Sequence, residues 1–195
     1  MRVINIIFIV ITVNLINSQS FNLNNNWPHD STSDLVGSPV GLGINSNDEV
    51  VIFHRGDRQW TFPFPNEKIK SNTIAIIDNE SGKILKSFGA NMFIMPHGLE
   101  VDYDDNIWVT DVALHQIFKF NSEGKLIFTL GNEAKAGNDN YSFNLPADIT
   151  VLKDGSFYVA DGYGNSRIIK FTKDGDFIRK YGTYGSSKSQ FIIPH

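Results

Sequence analysis

One sixteen-residue pattern occurs three times in the chain, and this internal repeat constrains the fold more than any other feature. The three copies occupy residues 39–54, 96–111 and 146–161, and each begins with a proline. A fourth proline in the same setting is Pro194, so the successive prolines are 57, 50 and 48 residues apart. Self-similarity at a period of about 20 to 50 residues is typical of proteins assembled from repeated supersecondary units, β-propellers among them.

Each repeat has the pattern of four short strands. In the second unit, residues 98–102, 106–112, 115–121 and 126–130 are rich in β-branched and aromatic residues. Turn-forming pairs such as Asp154-Gly155 separate the strands of a unit, because glycine adopts positive φ without steric cost. Helical spacing of apolar residues is not sustained in the repeats. The sequence therefore predicts an all-β fold, a β-propeller with four-stranded blades, of which about three are present.

The first residues of the chain have the order of a secretory signal. Arg2 supplies the positive charge, residues 3–13 are mostly apolar, and the small residues Ser18 and Ser20 follow. The apolar run is about half as long as the ~20 residues that a membrane-spanning helix needs. We therefore predict a cleaved signal peptide, no membrane span and a product that is secreted or held in the lumen of the secretory pathway, with a buried first strand as the alternative.

These features divide the chain into a signal peptide at residues 1–20, a polar leader at 21–35 and a partial propeller domain at 36–195. In a secreted product, the sequons that begin at Asn79 and Asn140 are candidates for glycosylation.

Composition excludes several classes of function. The net charge is −4 and no cluster of lysine and arginine occurs, so a nucleic-acid partner is not expected. The chain has no cysteine, which excludes disulfides, thiolate metal sites and a cysteine nucleophile. A bound metal would need histidine, carboxylate or carbonyl ligands.

Two histidines occupy equivalent positions in the repeat. His97 follows Pro96, and His195 follows Pro194. Equivalent positions near the start of the innermost strands converge on the central channel of a propeller. Two imidazoles there could share a zinc ion, and a hydrogen-bonded pair of channel histidines is the alternative.

Four sequence strings, in one order, carry a family resemblance. They are Val51–Asp57 (VIFHRGD), Pro96–Leu99 (PHGL), Trp108–Gln116 (WVTDVALHQ) and Asp161–Arg167 (DGYGNSR). The repeat resembles the NHL-type propeller repeat, and the strings closely resemble the peptidyl-α-hydroxyglycine α-amidating lyase family over residues 36–195. The resemblance implies a propeller of about six blades. The chain would then be a fragment of an active lyase, with a chain that pairs with another and a degenerate gene product as alternatives.

The resemblance also implies roles for particular residues. His97 and His195 would be zinc ligands. In the family, a third histidine from a later blade completes the zinc site. Arg55 would be the active-site arginine that holds a substrate carboxylate or supports a phenolate; a surface Arg-Gly-Asp loop is the alternative. Tyr163 would be the catalytic base and would contact the substrate, with a packing role as the alternative. The ordinary pKa of tyrosine is about 10, so a nearby cation would have to lower it.

Two further implications concern stability. The main-chain carbonyls of Leu42 and Leu99 match positions that bind a structural calcium ion in the family. A family disulfide falls at Asn144 and Gly164, so the rigidity of the loop around Tyr163 must come from elsewhere.

The remaining polar candidates are expected to be structural. Asp111 and Asp161 are equivalent in the repeat and are expected to bind turn amides rather than to act as acids or bases. His54 and His115 are expected to have local packing and hydrogen-bonding roles.

The activity that the resemblance implies is cleavage of a peptide ending in α-hydroxyglycine to a peptide amide and glyoxylate. Zinc would assist the reaction, a tyrosine would act as base, and a separate hydroxylating monooxygenase would act upstream. The alternatives are a secreted, non-catalytic propeller binding module and an inactive truncated homologue.

Overall fold

The strands form three four-stranded antiparallel sheets in the computed structural model, which describes residues 23–33 and 35–195. Each sheet is a meander in which consecutive strands pair: β1 to β4 make blade 1, β5 to β8 blade 2 and β9 to β12 blade 3. The strands are β1 (Pro39–Ile44), β2 (Val50–His54), β3 (Ile74–Ile77), β4 (Ile84–Phe88), β5 (Pro96–Val101), β6 (Ile107–Asp111), β7 (Gln116–Phe120), β8 (Leu126–Leu130), β9 (Asp148–Val151), β10 (Phe157–Asp161), β11 (Arg167–Phe171) and β12 (Phe177–Tyr181). The all-β fold with three four-stranded blades is confirmed.

Helices contribute little to the part of the chain that the structure describes. They are α1 (Asp30–Ser33) and α2 (Gly162–Asn165), of four residues each. Within residues 23–33 and 35–195, no helix has the length and hydrophobicity that a helix needs to cross a bilayer.

The innermost strands of the three blades, β1, β5 and β9, lie side by side and approach closely. A Cβ atom built on Gly41 would lie 2.5 Å from the Cβ atom of Leu99. One built on Gly98 would lie 2.8 Å from the carbonyl oxygen of Ala147. Glycine is therefore required where neighbouring inner strands meet, and the residues beside these glycines lie at the axis of the blades.

Two hydrophobic cores fill the spaces between blades, and blade 2 contributes side chains to both of them. Ile107 and Val109 pack into the core shared with blade 1, whereas Trp108, between them in β6, packs into the core shared with blade 3. Successive side chains of a strand point to opposite faces, so one strand can serve two cores. Blade 2 is thus covered on both faces.

The leader packs against blade 1. Trp27 of the leader, together with Val36 directly after it, contacts the buried cluster formed by Ile52 and its neighbours on the other face of that blade. The Thr32 hydroxyl donates a 2.7 Å hydrogen bond to the carbonyl oxygen of Gly82. Of the predicted leader, residues 23–33 and 35 are described; the predicted signal peptide lies outside the described residues.

Candidate functional site

Four residues named from the sequence meet at one end of the blades. Arg55 directly follows β2, and His97 is the second residue of β5. Tyr163 lies in α2, in the connection from β10 to β11, and His195 is brought to the same place from the start of a further repeat. The site therefore draws on all three blades, because the ends of their inner and second strands converge there.

The Tyr163 hydroxyl lies between the two imidazoles. Its oxygen is 3.0 Å from Nε2 of His97 and 2.9 Å from Nε2 of His195. Nδ1 of His97 donates to the carbonyl oxygen of Ala147 at 2.8 Å, since a carbonyl can only accept. In neutral His97 the free lone pair is then on Nε2, so Tyr163 donates to His97 and can accept from His195.

His97 is held neutral. Burial, followed by the neighbouring His195, lowers the pKa of His97 to about 4, although the bond to Ala147 opposes the shift. A neutral imidazole with a fixed tautomer presents Nε2 as an acceptor or a metal ligand.

Burial also raises the pKa of Tyr163, while the charge of Arg55 lowers it. The expected effect of Arg55 is therefore present, but burial outweighs it.

Arg55 is half-buried and oriented by two contacts. Its Nε donates to the carbonyl oxygen of Pro96 at 2.9 Å, and its guanidinium carbon lies 5.0 Å from the ring centre of Trp60. No hydrogen bond joins its terminal nitrogens to another group within residues 23–33 and 35–195. A guanidinium fixed in this way can bind a carboxylate with two parallel hydrogen bonds.

Asp161 fixes the segment that carries Tyr163. One carboxylate oxygen accepts the Asn144 amide at 2.8 Å, and the other accepts Asn165 Nδ2 at 2.7 Å and Arg167 Nε at 2.8 Å. Both Asp161 and Arg167 are buried, so this ion pair is shielded from solvent. The structural role expected for Asp161 is confirmed. Its hydrogen bonds hold the loop around Tyr163, where the family disulfide is absent.

Asp111 performs the equivalent task between blades 1 and 2. Its carboxylate accepts four backbone amides at 2.7 to 2.9 Å, those of Ile94, Met95, Ala113 and Leu114. Burial nevertheless raises the pKa of Asp111 to about 6. The structural role expected for it is also confirmed.

The predicted packing histidines have the expected local contacts. His115 Nδ1 accepts the Leu145 amide at 3.0 Å, and His54 Nδ1 accepts the Gly56 amide at 3.2 Å. Burial lowers the pKa of both imidazoles.

Sequence reasoning missed Trp60, which covers the site. Its ring centre lies 5.9 Å from that of His97 and 5.9 Å from that of Tyr163, besides the contact with Arg55. The available signal was the position of Trp60 in the long proline-containing loop that follows Arg55. The sequence of this loop has no periodic pattern that would predict the direction of the Trp60 side chain.

The two imidazoles fit a zinc ion as two of its ligands. Their Nε2 atoms approach one point, where a phenol oxygen also lies, and histidine nitrogen with oxygen is a donor set that zinc accepts. A cavity of about 190 Å³ adjoins them, lined in part by Asp148 and Gly98. No group of three or more histidine, aspartate or glutamate side chains is arranged for a metal in the described ranges, so zinc stays a prediction.

Calcium binding at Leu42 and Leu99 has less support. The two residues lie in the neighbouring inner strands β1 and β5, with the Leu42 side chain 66% exposed and that of Leu99 buried. Calcium takes about six to eight oxygen ligands, and the described residues do not present the carboxylates that would complete such a set. The site stays a prediction, and we derive no role for it.

The two sequons differ in exposure. Asn79 and Ser81 are exposed, whereas Asn140 is half-buried and its sequon partner Ser142 is buried. Glycosylation of either asparagine also stays a prediction.

Comparisons with known proteins match this description. A sequence-family profile described as NHL repeat matches residues 143–171. Peptidyl-alpha-hydroxyglycine alpha-amidating lyase 1 of Drosophila melanogaster is 37% identical over 192 residues, which cover 88% of this chain and 35% of that protein. Peptidyl-glycine alpha-amidating monooxygenase B of Xenopus laevis is 41% identical over 185 residues, which cover 87% of this chain and 21% of that protein. The chain spans about a fifth to a third of the length of these two relatives.

A solved streptogramin B lyase shares the fold, with a TM-score of 0.55 and 21% identity over 80% of this chain and 44% of that one. The three four-stranded blades therefore have a β-propeller fold, and residues 143–171 of the chain match an NHL repeat. Within that class, the chain is similar to the peptidyl-α-hydroxyglycine α-amidating lyases over most of its own length.

Proposed function

We propose that this chain carries the reaction site of a lyase that cleaves peptides ending in α-hydroxyglycine to a peptide amide and glyoxylate. The observation that carries the proposal is the convergence of Arg55, His97, Tyr163 and His195, which are widely separated in the sequence. The names of the relatives support the same reaction.

Arg55 would bind the carboxylate of the α-hydroxyglycine. Its Nε is occupied by the Pro96 carbonyl, so the guanidinium is oriented before a substrate arrives. A substrate fixed through its carboxylate presents the adjacent carbinol carbon at one position, which lowers the entropic cost of reaching the transition state.

Tyr163 would accept the hydroxyl proton at Oη. Removal of that proton lets the carbinol oxygen form the aldehyde of glyoxylate while the C–N bond breaks. The electron pair of that bond goes to the amide nitrogen, which takes up a proton to give the peptide amide. The reaction requires the phenolate form of Tyr163, and the charge of Arg55 opposes the rise in the Tyr163 pKa that burial causes.

His97 and His195 would hold zinc through their Nε2 atoms. A zinc ion supplies Lewis acidity, which makes a bound hydroxyl easier to deprotonate. The Nδ1 bond from His97 to Ala147 keeps that ring in the orientation and tautomer that a metal ligand needs.

The proposal extends to partners and compartment. The substrate must be produced by hydroxylation of a glycine-extended peptide, which is the role we propose for a separate monooxygenase acting upstream. We propose that the reaction takes place in the secretory pathway, to which the signal predicted at residues 1–20 would direct the chain.

The direct test is zinc content and glyoxylate release by the purified chain with a peptidyl-α-hydroxyglycine substrate. We expect His97→Ala to lose zinc, and Tyr163→Phe to keep zinc while its turnover falls by about 100-fold or more. Arg55→Ala should raise KM, because it removes the carboxylate contact.

Matched controls separate these effects from general damage. Tyr158→Phe changes a tyrosine of the adjoining strand β10, and His29→Ala changes an exposed histidine of the leader; both should keep wild-type zinc content and turnover. A folded, metal-free protein that releases no glyoxylate would overturn the proposal and favour a non-catalytic binding module.

A further inference from the structure

We propose that Trp60, Phe64 and Phe62 form an aromatic subsite that receives the side chain preceding the C-terminal α-hydroxyglycine, and that selects apolar and aromatic residues at this position. The inference rests on the proposed function, because it names the part of the substrate that the same site would contact.

The inner end of the subsite is Trp60, which touches each part of the site. Its ring centre is 5.0 Å from the guanidinium carbon of Arg55, 5.9 Å from the His97 ring and 5.9 Å from the Tyr163 ring. A group bound against Trp60 therefore lies next to both the carboxylate-binding residue and the proton acceptor.

Two further rings continue from Trp60 to the surface. Phe64 lies 5.2 Å from Trp60 and Phe62 lies 5.6 Å from Phe64, both edge to face. Trp60 is 45% and Phe62 80% exposed. Contiguous exposed aromatic rings forgo the free energy of burial, and such surfaces mark binding sites more often than single exposed residues do.

The loop that carries these rings is held by two prolines and by contacts with neighbouring segments. Pro63 and Pro65 flank Phe64 and fix their own φ angles, and Phe64 packs against the core between blades 1 and 2. Arg58 Nη1 donates to the carbonyl oxygen of Ile94 at 2.8 Å, which ties the start of the loop to the segment that connects β4 to β5. A preorganised aromatic surface loses little entropy when a ligand binds.

The distances within the site indicate which residue of the peptide would contact Trp60. Neighbouring Cα atoms of a peptide are about 3.8 Å apart. With the terminal carboxylate on Arg55 and the hydroxyl at Tyr163, the preceding residue begins within that distance of the reacting carbon, where Trp60 lies. An apolar ring surface favours aromatic and aliphatic side chains there and disfavours carboxylates, which would lose hydration without gaining a partner.

The test measures binding with peptides that cannot react. Acetyl-Ala-Phe-Gly, acetyl-Ala-Ala-Gly and acetyl-Ala-Asp-Gly lack the α-hydroxyl, and calorimetry gives their Kd for each variant. We expect the wild type to bind the Phe peptide about tenfold more tightly than the Ala peptide, and the Asp peptide most weakly. Trp60→Ala should abolish the preference, Trp60→Phe should retain most of it, and Phe62→Ala should reduce it.

Tyr103→Ala is the matched control, because Tyr103 is 72% exposed in the turn between β5 and β6 at the other end of the blade. It should keep the wild-type preference. Equal wild-type affinity for the Phe and Ala peptides would overturn the subsite. If Trp60→Ala fails to fold, the exposed Phe62→Ala decides, and an unchanged preference in that variant overturns it as well.

Glyoxylate release from the corresponding α-hydroxyglycine peptides is measured separately. A binding preference without glyoxylate release would contradict the proposed lyase activity and support the subsite. Glyoxylate release without a preference would contradict the subsite and support the lyase activity.

Discussion

Two buried aspartates at equivalent repeat positions hold the strand ends that carry the site. Asp111 binds four backbone amides, whereas Asp161 binds one amide, one side-chain amide and the Arg167 guanidinium. Both aspartates bind neighbouring backbone amides at the end of the second strand of a blade. Their other partners differ, because a different segment packs against each of them. The sequence could therefore predict the structural role of both residues, but not the ion pair at Asp161.

The raised pKa of Asp111 gives a testable pH dependence. The folded pKa is about 6 and the ordinary value 3.8, so the ionised form is disfavoured in the fold. The contribution of Asp111 to stability is therefore fully present below pH 3.8 and is lost as the pH rises through about 6. We expect this contribution to the free energy of unfolding to fall by about 2 kcal/mol between pH 4 and pH 7.

Urea unfolding of the wild type and Asp111→Asn across this range isolates the effect, because the amide does not titrate. The difference in unfolding free energy between the two proteins should shrink as the pH rises. Asp174→Asn, in the exposed turn between β11 and β12, controls for the general effect of replacing an aspartate by an asparagine. A wild-type advantage over Asp111→Asn that grows from pH 4 to pH 7 would show that the four amides outweigh burial.

At the scale of elements, predictability follows the range of the interactions. The four strands predicted for blade 2 match β5 to β8 to within two residues, because alternation and turn residues are local signals. The conformation of the loop after Arg55 depends on Phe64 entering a distant core, and docking of the leader depends on Thr32 meeting Gly82. Neither contact leaves a periodic signal, so Trp60 and the leader could not be placed from the sequence.

The segment carrying Tyr163 provides a test at this scale. The Gly164 amide donates to the Asn144 carbonyl at 3.0 Å, and a Cβ atom built on Gly164 would lie 2.2 Å from Asn144 Cγ. Both backbone contacts of Asn144 survive a change of side chain, so paired cysteines at these positions should form a disulfide. The bond would close a loop of about 20 residues and raise the free energy of unfolding by about 3 kcal/mol.

The measurement compares oxidised and reduced Gly164→Cys/Asn144→Cys by urea unfolding, with a thiol titration of each form. Gly164→Ala alone should be destabilised, since its methyl group would overlap Asn144. Two free thiols after mild oxidation, or equal stability of both forms, would show that the segment is held further apart than the contact with Asn144 implies.

At the scale of the molecule, the radial arrangement of the blades explains why distant residues share one site. Each inner strand begins near the same axis, so the repeat position of His97 and His195 was sufficient to predict that they would meet. Arg55 and Tyr163 follow the second strands of their blades, and they needed the family resemblance to be selected. The equivalent position in blade 3 holds Ala147, whose carbonyl orients His97 instead of supplying another imidazole.

The same arrangement predicts how stability is distributed. Blade 2 packs on both faces, because residues of β6 alternate between the cores shared with blades 1 and 3. Every residue of β6 is buried, whereas most of the outer strand β12 is exposed. Local opening of blade 1 or 3 disrupts one of these cores, but opening of blade 2 disrupts both. Amides of β6 and β7 should therefore exchange with solvent about tenfold or more slowly than those of β2, β3, β10 and β11, which corresponds to about 1.4 kcal/mol.

Native-state hydrogen exchange read by mass spectrometry of peptides distinguishes the strands, and comparing only second and third strands matches their hydrogen bonding across blades. Equal protection in all three blades would mean that they open as a single cooperative unit. Slowest exchange in blade 1 would mean that the leader stabilises that blade more than a neighbouring blade does. Protection centred on β6 and β7 would instead show that contact between blades is the main source of stability, as expected for a repeat architecture in which each unit depends on its neighbours.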